Sequence, residues 1–360
     1  MLEVNFDKQI GSFKLKSSFK LDNGILGVLG SSGCGKSMTL KCIAGLYIPE
    51  KGKVILNNRV LFSSEEKINI KPRNRKIGYV FQDYALLPHL TVENNIAYGL
   101  KNLEKNIRKE KVADMINRMH LSGYENRYPS QLSGGQKQRT ALARTLVTDP
   151  DLLLLDEPFS ALDSHIRHEL KKELINIIHN NYKGITILVT HNIEEAYRLC
   201  DKIMIIDQGN TLQIGGKDEI IQNPSNITSA RLTGCKNFLD ARIIDEENGD
   251  YILKSNDLSF KVKKAVEEYS GEVVAGIRDY YLSLYSSKEK KHENSFLCKV
   301  VQEIEGVFSK TLILESGGCQ LQLEVPKSSN YLELNNYQDN LWLDMPSEHI
   351  FLIRKEKSIE

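Results

Sequence analysis

The eight residues Gly30-Ser31-Ser32-Gly33-Cys34-Gly35-Lys36-Ser37 fit the pattern G-x-x-x-x-G-K-[ST], and their setting restricts the fold more than any other feature of the chain. An apolar run of strand length, 24–29, leads into them, and a stretch of helical period, 37–46, leaves them. Strand, glycine loop and helix in that order make a phosphate cradle. The glycines let backbone N–H groups close on phosphate oxygens, and the helix N-terminus adds its partial positive charge. Lys36 is placed to reach β- and γ-phosphates, and Ser37 to offer a hydroxyl to Mg²⁺. A glycine-rich turn used only for packing would not need all three parts together.

Three more apolar runs stop at a residue able to touch a nucleotide: 76–81 at Gln82, 151–155 at Asp156, and 184–190 at His191. Parallel strands are buried on both faces and read as continuous apolar runs, with ligands gathered at their carboxyl ends. Four strands are therefore expected to aim polar groups at one edge. Neighbours on a strand point opposite ways, so Asp156 is expected to hold Mg²⁺ while Glu157 faces the attacking water. Residues 169–180 carry Leu170, Leu174, Ile177 and Ile178 at helical spacing. The segment 86–150 reads as mainly helical, ending in a helix that starts near Ser133, and so as an insertion in an α/β core. The expected fold class is α/β, a P-loop nucleotide-hydrolysing core with an inserted helical subdomain.

After residue 230 the pattern changes to short alternating strands, at 241–244, 251–254, 273–277, 299–304, 311–314, 321–325 and 341–345, separated by turn signals such as Asn248-Gly249-Asp250 and Gly317-Gly318. A small all-β barrel is expected there, giving domains 1–230 and 231–360. It contains a weak repeat: 237–243 echoes 294–300, and 276–284 echoes 344–352, with a charged linker at 286–295. A length of 360 residues agrees with two or three units. The balance of 48 Lys+Arg against 47 Asp+Glu gives no basic field, so no nucleic-acid partner is expected. Six cysteines form no CxxC pair and are expected as free thiols in a reducing compartment. The N-terminus lacks a secretory pattern, and no window offers the roughly 18–20 apolar residues a bilayer span needs, so any membrane role requires another chain.

Between the phosphate loop and the Asp156 strand lies Leu132-Ser133-Gly134-Gly135-Gln136. Through this segment the chain resembles the ABC family of ATPases, whose signature it matches. The resemblance implies ATP and Mg²⁺ as cofactors, with Ser133, Gly134, Gly135 and Gln136 presented to a nucleotide held by the partner subunit of a head-to-tail homodimer. Gln82 resembles the Q-loop glutamine that senses metal and water, which adds it to Ser37 and Asp156 at the metal. His191 resembles the switch histidine at the γ-phosphate, and 160–163 the D-loop that joins the two sites. Lys36, Gln82, Glu157 and His191 are the implied catalytic set. An aromatic residue usually stacks on adenine, but Ile10 occupies the position before Gly11, leaving Phe13 or Phe6.

Importer ATPases of this family commonly carry a β-rich extension, and the chain most resembles the molybdate type with its MOP/TOBE-like domain. That implies the ATP-hydrolysing subunit of an importer, peripheral to the cytoplasmic face of the membrane through permease subunits and served indirectly by a substrate-binding protein. Sulfate, ferric-iron and polyamine importers are the alternatives, with a soluble non-transport ABC ATPase more remote. In the extension the family's anion turn is expected at Asn294, although Lys291 and Glu293 depart from its pattern. Lys236, Asn237 and Arg278 form another candidate anion surface, or else all are solvated turn residues.

Overall fold

The computed structural model describes residues 1–160, 176, 178, 182, 184–264, 268–286, 292–328 and 341–355. The chain divides into two compact units, Met1–Lys217 and Asp218–Glu360. The first unit opens with β1 (Leu2–Ile10), β2 (Phe13–Leu21), β3 (Ile25–Leu29), α1 (Lys36–Ala44), β4 (Lys51–Leu56), β5 (Arg59–Ser63), β6 (Ile68–Asn69) and β7 (Ile77–Val80). Helices α2 (Val92–Ala97), α3 (Lys105–Arg118) and α4 (Gly134–Leu146) follow, then β8 (Leu152–Asp156), β9 (Ile185–Thr190), α5 (Ile193–Leu199), β10 (Lys202–Asp207) and β11 (Asn210–Gly216). The expected helix at 169–180 lies outside the described residues, apart from 176 and 178.

Among the described residues one sheet has the order β6-β5-β4-β1-β2-β11-β10-β3-β9-β8-β7, and its run β10-β3-β9-β8-β7 is parallel. Period-two alternation sorts the β8 leucines between two cores. Leu152 and Leu154 pack with Leu40 and Ile43 of α1, while Leu153 and Leu155 pack with Ile96, Ile116 and Leu142 of α2, α3 and α4. The four apolar runs therefore lie side by side as read, and the 86–150 insertion covers one face.

Arg75 holds the far end of α1, a role its sequence position does not announce. Its buried guanidinium donates to the Ile43 carbonyl (2.7 Å), the Cys42 carbonyl (3.3 Å) and the Ile70 carbonyl (2.7 Å), and burial pulls its pKa down to about 10. A cation on the last carbonyls satisfies orphan acceptors and opposes the negative end of the helix dipole. A Cβ at Gly45 would meet that guanidinium at 2.5 Å, and φ at Gly45 is +80°, so glycine is required there twice over.

The second unit carries α6 (Lys217–Gln222, its first residue still in unit 1), α7 (Ile227–Leu232), β12 (Asn237–Glu247), β13 (Asp250–Ser255), β14 (Leu258–Lys263), β15 (Glu272–Ile277), β16 (Ser283–Ser286), β17 (Ser295–Leu297), β18 (Lys299–Glu305), β19 (Ser309–Ser316), β20 (Cys319–Pro326), β21 (Leu341–Asp344) and β22 (Ile350–Arg354). All seven expected strands are present, joined by β14, β16, β17 and β22. Of the expected linker, 287–291 lie outside the described residues. The two units divide at Lys217/Asp218, ahead of the expected 230/231, and both helices are bound into the β structure. Ala230 and Ile227 pack with Val274 and Ile353, and Arg278 donates to the Ile221 and Thr233 carbonyls.

The sequence repeat corresponds to two interlocked lobes. The sheet β14-β13-β12-β15-β22 ends on a strand of the second repeat, while β16 of the first repeat pairs with β21 of the second. Equivalent asparagines tie the lobes together. Asn237 brackets the backbone of Gln322 (2.6 and 2.9 Å), and Asn294 brackets that of Lys261 (2.8 and 2.7 Å). Tyr281 and His349, also equivalent, stack on each other with centroids 3.7 Å apart.

Arg278 is 3 % exposed and also donates to Thr233 Oγ1 at 3.0 Å. Arg278→Ala strands these acceptors in the interior and is expected to destabilise the second unit by about 3 kcal/mol. Denaturation of the full chain, followed through its single tryptophan, Trp342 in β21, reads this directly. An unchanged midpoint would mean that these bonds contribute nothing.

Candidate active site

The loop between β3 and α1 is shaped for close approach. Gly33 and Gly35 take φ of +79° and +110°, and a Cβ on Gly30 would collide with the Ile206 carbonyl oxygen and the Cys34 sulfur. Ser31, Ser32 and Gly33 are exposed, whereas Cys34 and Lys36 are buried. Lys36 Nζ donates to the carbonyls of Gly30 and Ser31, both at 2.8 Å, which stations an ammonium at the mouth of the loop. Ser37 Oγ donates to Asp156 Oδ1 at 2.7 Å, and Asp156 Oδ2 accepts from the Tyr79 hydroxyl at 2.8 Å. A hydroxyl and a carboxylate in contact form an oxygen-only donor set, which suits Mg²⁺.

Glu157 is aimed by a turn rather than by strand alternation. Strand β8 ends at Asp156, and Glu157 takes φ of +45°, a left-handed conformation that costs an L-residue about 1–2 kcal/mol. Its N–H donates to the Val189 carbonyl at 3.1 Å, and its own carbonyl accepts from the N–H (3.1 Å) and hydroxyl (2.9 Å) of Ser160. The carboxylate then lies 3.3 Å from His191 Nδ1. The loop under His191 is tied in turn: Thr190 Oγ1 donates to Glu195 Oε2 at 2.6 Å and accepts from Asn192 N–H at 3.1 Å. A carboxylate and an imidazole side by side beyond Asp156 have the chemistry to orient and deprotonate a water. Of the 160–163 segment only Ser160 is described; 161–163 lie outside the described residues.

Gln82 is exposed in the turn after β7, whose Val80 pairs with Leu155 of β8, so it shares the sheet edge with Asp156. Tyr84 and Ala85 follow with φ of +62° and +42°, and Arg144 of α4 donates to both their carbonyls (2.9 and 2.7 Å). One helix thus carries the signature at its start and clamps the Gln82 loop near its end. At that start Ser133 is the N-cap. Its Oγ accepts from Gln136 N–H (3.3 Å) while Gln136 Oε1 accepts from Ser133 N–H (2.9 Å), leaving Ser133 and Gly134 exposed at the positive end of α4 and Gly135 buried.

Beside the phosphate loop is a cleft of about 630 Å³ whose lining includes Phe13, Lys14, Lys16, Asp207 and Asn210 as well as Ser31 to Cys34. Phe6 is 1 % exposed in the core, which leaves Phe13 as the aromatic residue of the pair that faces the cleft. Asp207, at the end of β10, accepts from Ser31 Oγ at 3.3 Å. Sequence reasoning missed it although it ends an apolar run just as Asp156 does. Tyr79 and Arg144 carried no comparable signal.

The anion surfaces expected in the second unit are otherwise engaged. Lys236 pairs with Asp279 (3.0 Å) and Glu324 (3.3 Å), Glu293 pairs with Lys261, and Asn237, Arg278 and Asn294 are buried on backbone partners. Neither the anion reading nor that of solvated turns holds for these three buried residues, because each closes a contact between segments far apart in sequence. Lys291 lies outside the described residues. All six cysteines are free and buried.

A family model described as ABC transporter matches residues 16–160. An Fe(3+) ions import ATP-binding protein of Haemophilus influenzae is 38% identical over 278 residues, covering 76% of this chain and 75% of that one. A sulfate/thiosulfate import ATP-binding protein of Acinetobacter baylyi is 32% identical over 361 residues, covering 96% and 97%. Among solved structures, the dimeric ATP-binding cassette MJ0796 bound to ADP and Pi superposes with a TM-score of 0.50 at 27% identity, over 60% of this chain and 99% of that one. The cbiO1 protein of Clostridium perfringens, described as part of an ABC transporter complex, gives 0.53 at 27% identity, over 61% and 89%.

Proposed function

As this chain belongs to the ABC transporter ATP-binding family, we propose that it is the ATP-hydrolysing subunit of an importer, working as a head-to-tail homodimer on permease subunits at the cytoplasmic face of the membrane. In this reading residues Gly30 to Ser37 cradle the phosphates, with Lys36 on the β- and γ-phosphates. Ser37 and Asp156 hold Mg²⁺, with Gln82 near it, and Phe13 stacks on adenine. Glu157 takes the proton of the attacking water, and His191 holds Glu157 and the γ-phosphate in register. Ser133 to Gln136 close on the nucleotide of the partner subunit. Bound Mg²⁺ supplies charge neutralisation on the phosphates. The observation that carries the reading is the meeting, at one sheet edge, of Ser37 with Asp156 and of Glu157 with His191.

For the cargo we infer a sulfate-type oxyanion. Support comes from the sulfate/thiosulfate relative, whose similarity runs through both units. Ferric iron is the second reading, favoured by higher identity over a shorter stretch. Molybdate gives way because the relatives are named for sulfate/thiosulfate and ferric-iron import. The duplicated β lobes of that unit support a MOP/TOBE-like regulatory domain. Uptake of labelled sulfate, ferric iron and molybdate by cells with and without this chain tests the cargo: sulfate uptake is expected to depend on it. Dependence of iron uptake alone would install the second reading, and dependence of molybdate uptake alone would overturn both. If none responds and no integral-membrane chain copurifies, the importer role itself is wrong.

A further inference from the structure

The two oxygens of Asp156 are held by different hydroxyls on different elements: Oδ1 by Ser37 of α1, Oδ2 by Tyr79 of β7. Tyr79 pairs in register with Leu154, so Tyr79, Leu154 and Asp156 share the face of the sheet that α1 covers. The ring is held against Phe81, with centroids 4.3 Å apart at 34°, and packs on the core around α1. The hydroxyl faces the carboxylate as a donor at 2.8 Å. Packing alone would be met by phenylalanine.

We propose that Tyr79 is a positioning residue for the Mg²⁺ site, its hydroxyl fixing the Asp156 carboxylate so that the remaining lone pairs present one set direction beside Ser37. This rests on the reading of Ser37 and Asp156 as the metal site. An outer-shell donor orients its ligand before the ion arrives, and loss of such a partner typically costs about 10- to 100-fold in metal affinity or activity. A phenol present only to satisfy its own hydrogen bond would leave metal affinity unchanged when deleted.

The test uses the full chain in excess over the non-hydrolysable ATP analogue AMP-PNP, with bound Mn²⁺ followed by electron paramagnetic resonance in wild type, Tyr79→Phe and Asp156→Asn. Tyr79→Phe retains the ring and is expected to weaken Mn²⁺ binding by about 10- to 100-fold, with nucleotide affinity in EDTA unchanged. In hydrolysis, the Mg²⁺ concentration for half-maximal rate is expected to rise while the rate at saturating Mg²⁺ recovers. Wild-type Mn²⁺ affinity in Tyr79→Phe together with loss in Asp156→Asn would overturn the positioning role and leave the metal site standing. Wild-type affinity in both variants would overturn the metal site and, with it, the inference.

Discussion

Glu157→Gln is expected to lower steady-state ATP hydrolysis by at least about 100-fold while leaving ATP affinity near that of the wild type. Glutamine keeps the size and polarity of the side chain but cannot take a proton from water. The contacts that hold the left-handed turn involve the backbone N–H and carbonyl of residue 157, so they survive the substitution. The loss is then chemical, and nucleotide binds and persists. Phosphate release and equilibrium binding of a fluorescent ATP analogue measure the two halves separately. Near-normal turnover in this variant would remove Glu157 from the catalytic role.

Lys36→Ala homodimers are expected to lose about 10- to 100-fold in nucleotide affinity, the scale of a hydrogen bond to a charged group. A mixture with a second variant makes the experiment decisive. Ser133→Asp keeps a good N-cap on α4 but turns a carboxylate towards the neighbouring phosphate, so the fold is preserved while the signature is disabled. In a dimer of one Lys36→Ala chain and one Ser133→Asp chain both defects fall on the same composite site, and the other site is intact. Vanadate should trap nucleotide at one site per mixed dimer and at none in either parent homodimer. Full trapping by Ser133→Asp homodimers would exclude a shared site.

The nucleotide edge was legible because its parts are local. A run of apolar residues that ends in a polar one marks a buried parallel strand by itself, and β3, β7, β8 and β9 all carry that mark. What stayed hidden depends on partners remote in sequence or on backbone geometry. The Asn237 side chain meets a backbone 85 residues away, so at its own position it looks like a turn residue with free groups. Arg278 reads as an exposed cation for the same reason, and its contacts to Ile221 of α6 and Thr233 just after α7 have no local period by which a sequence could mark where the second unit begins. Strand alternation leads one to expect Glu157 opposite Asp156, but the strand stops one residue earlier and a positive φ does the aiming. Tyr79 is an aromatic residue in an apolar strand, which by pattern is core, and only the 2.8 Å approach to Asp156 shows the hydroxyl in use. The β16 and β17 strands are too short to show an alternation at all.

The exchange of strands between the two lobes of the second unit sets a timetable for synthesis. The sheet begun by β12 takes its last strand, β22, from the end of the second repeat, and β16 waits for β21 before it has a neighbour. The first lobe cannot finish until β21 and β22 have emerged, whereas the nucleotide unit has all its described strands once β11 has emerged. The catalytic half can therefore fold during translation, ahead of a β unit that locks only once β22 has emerged, and pairings of such wide separation form slowly. Ribosome-stalled chains ending before Ile350 should bind nucleotide while the second unit remains open to protease.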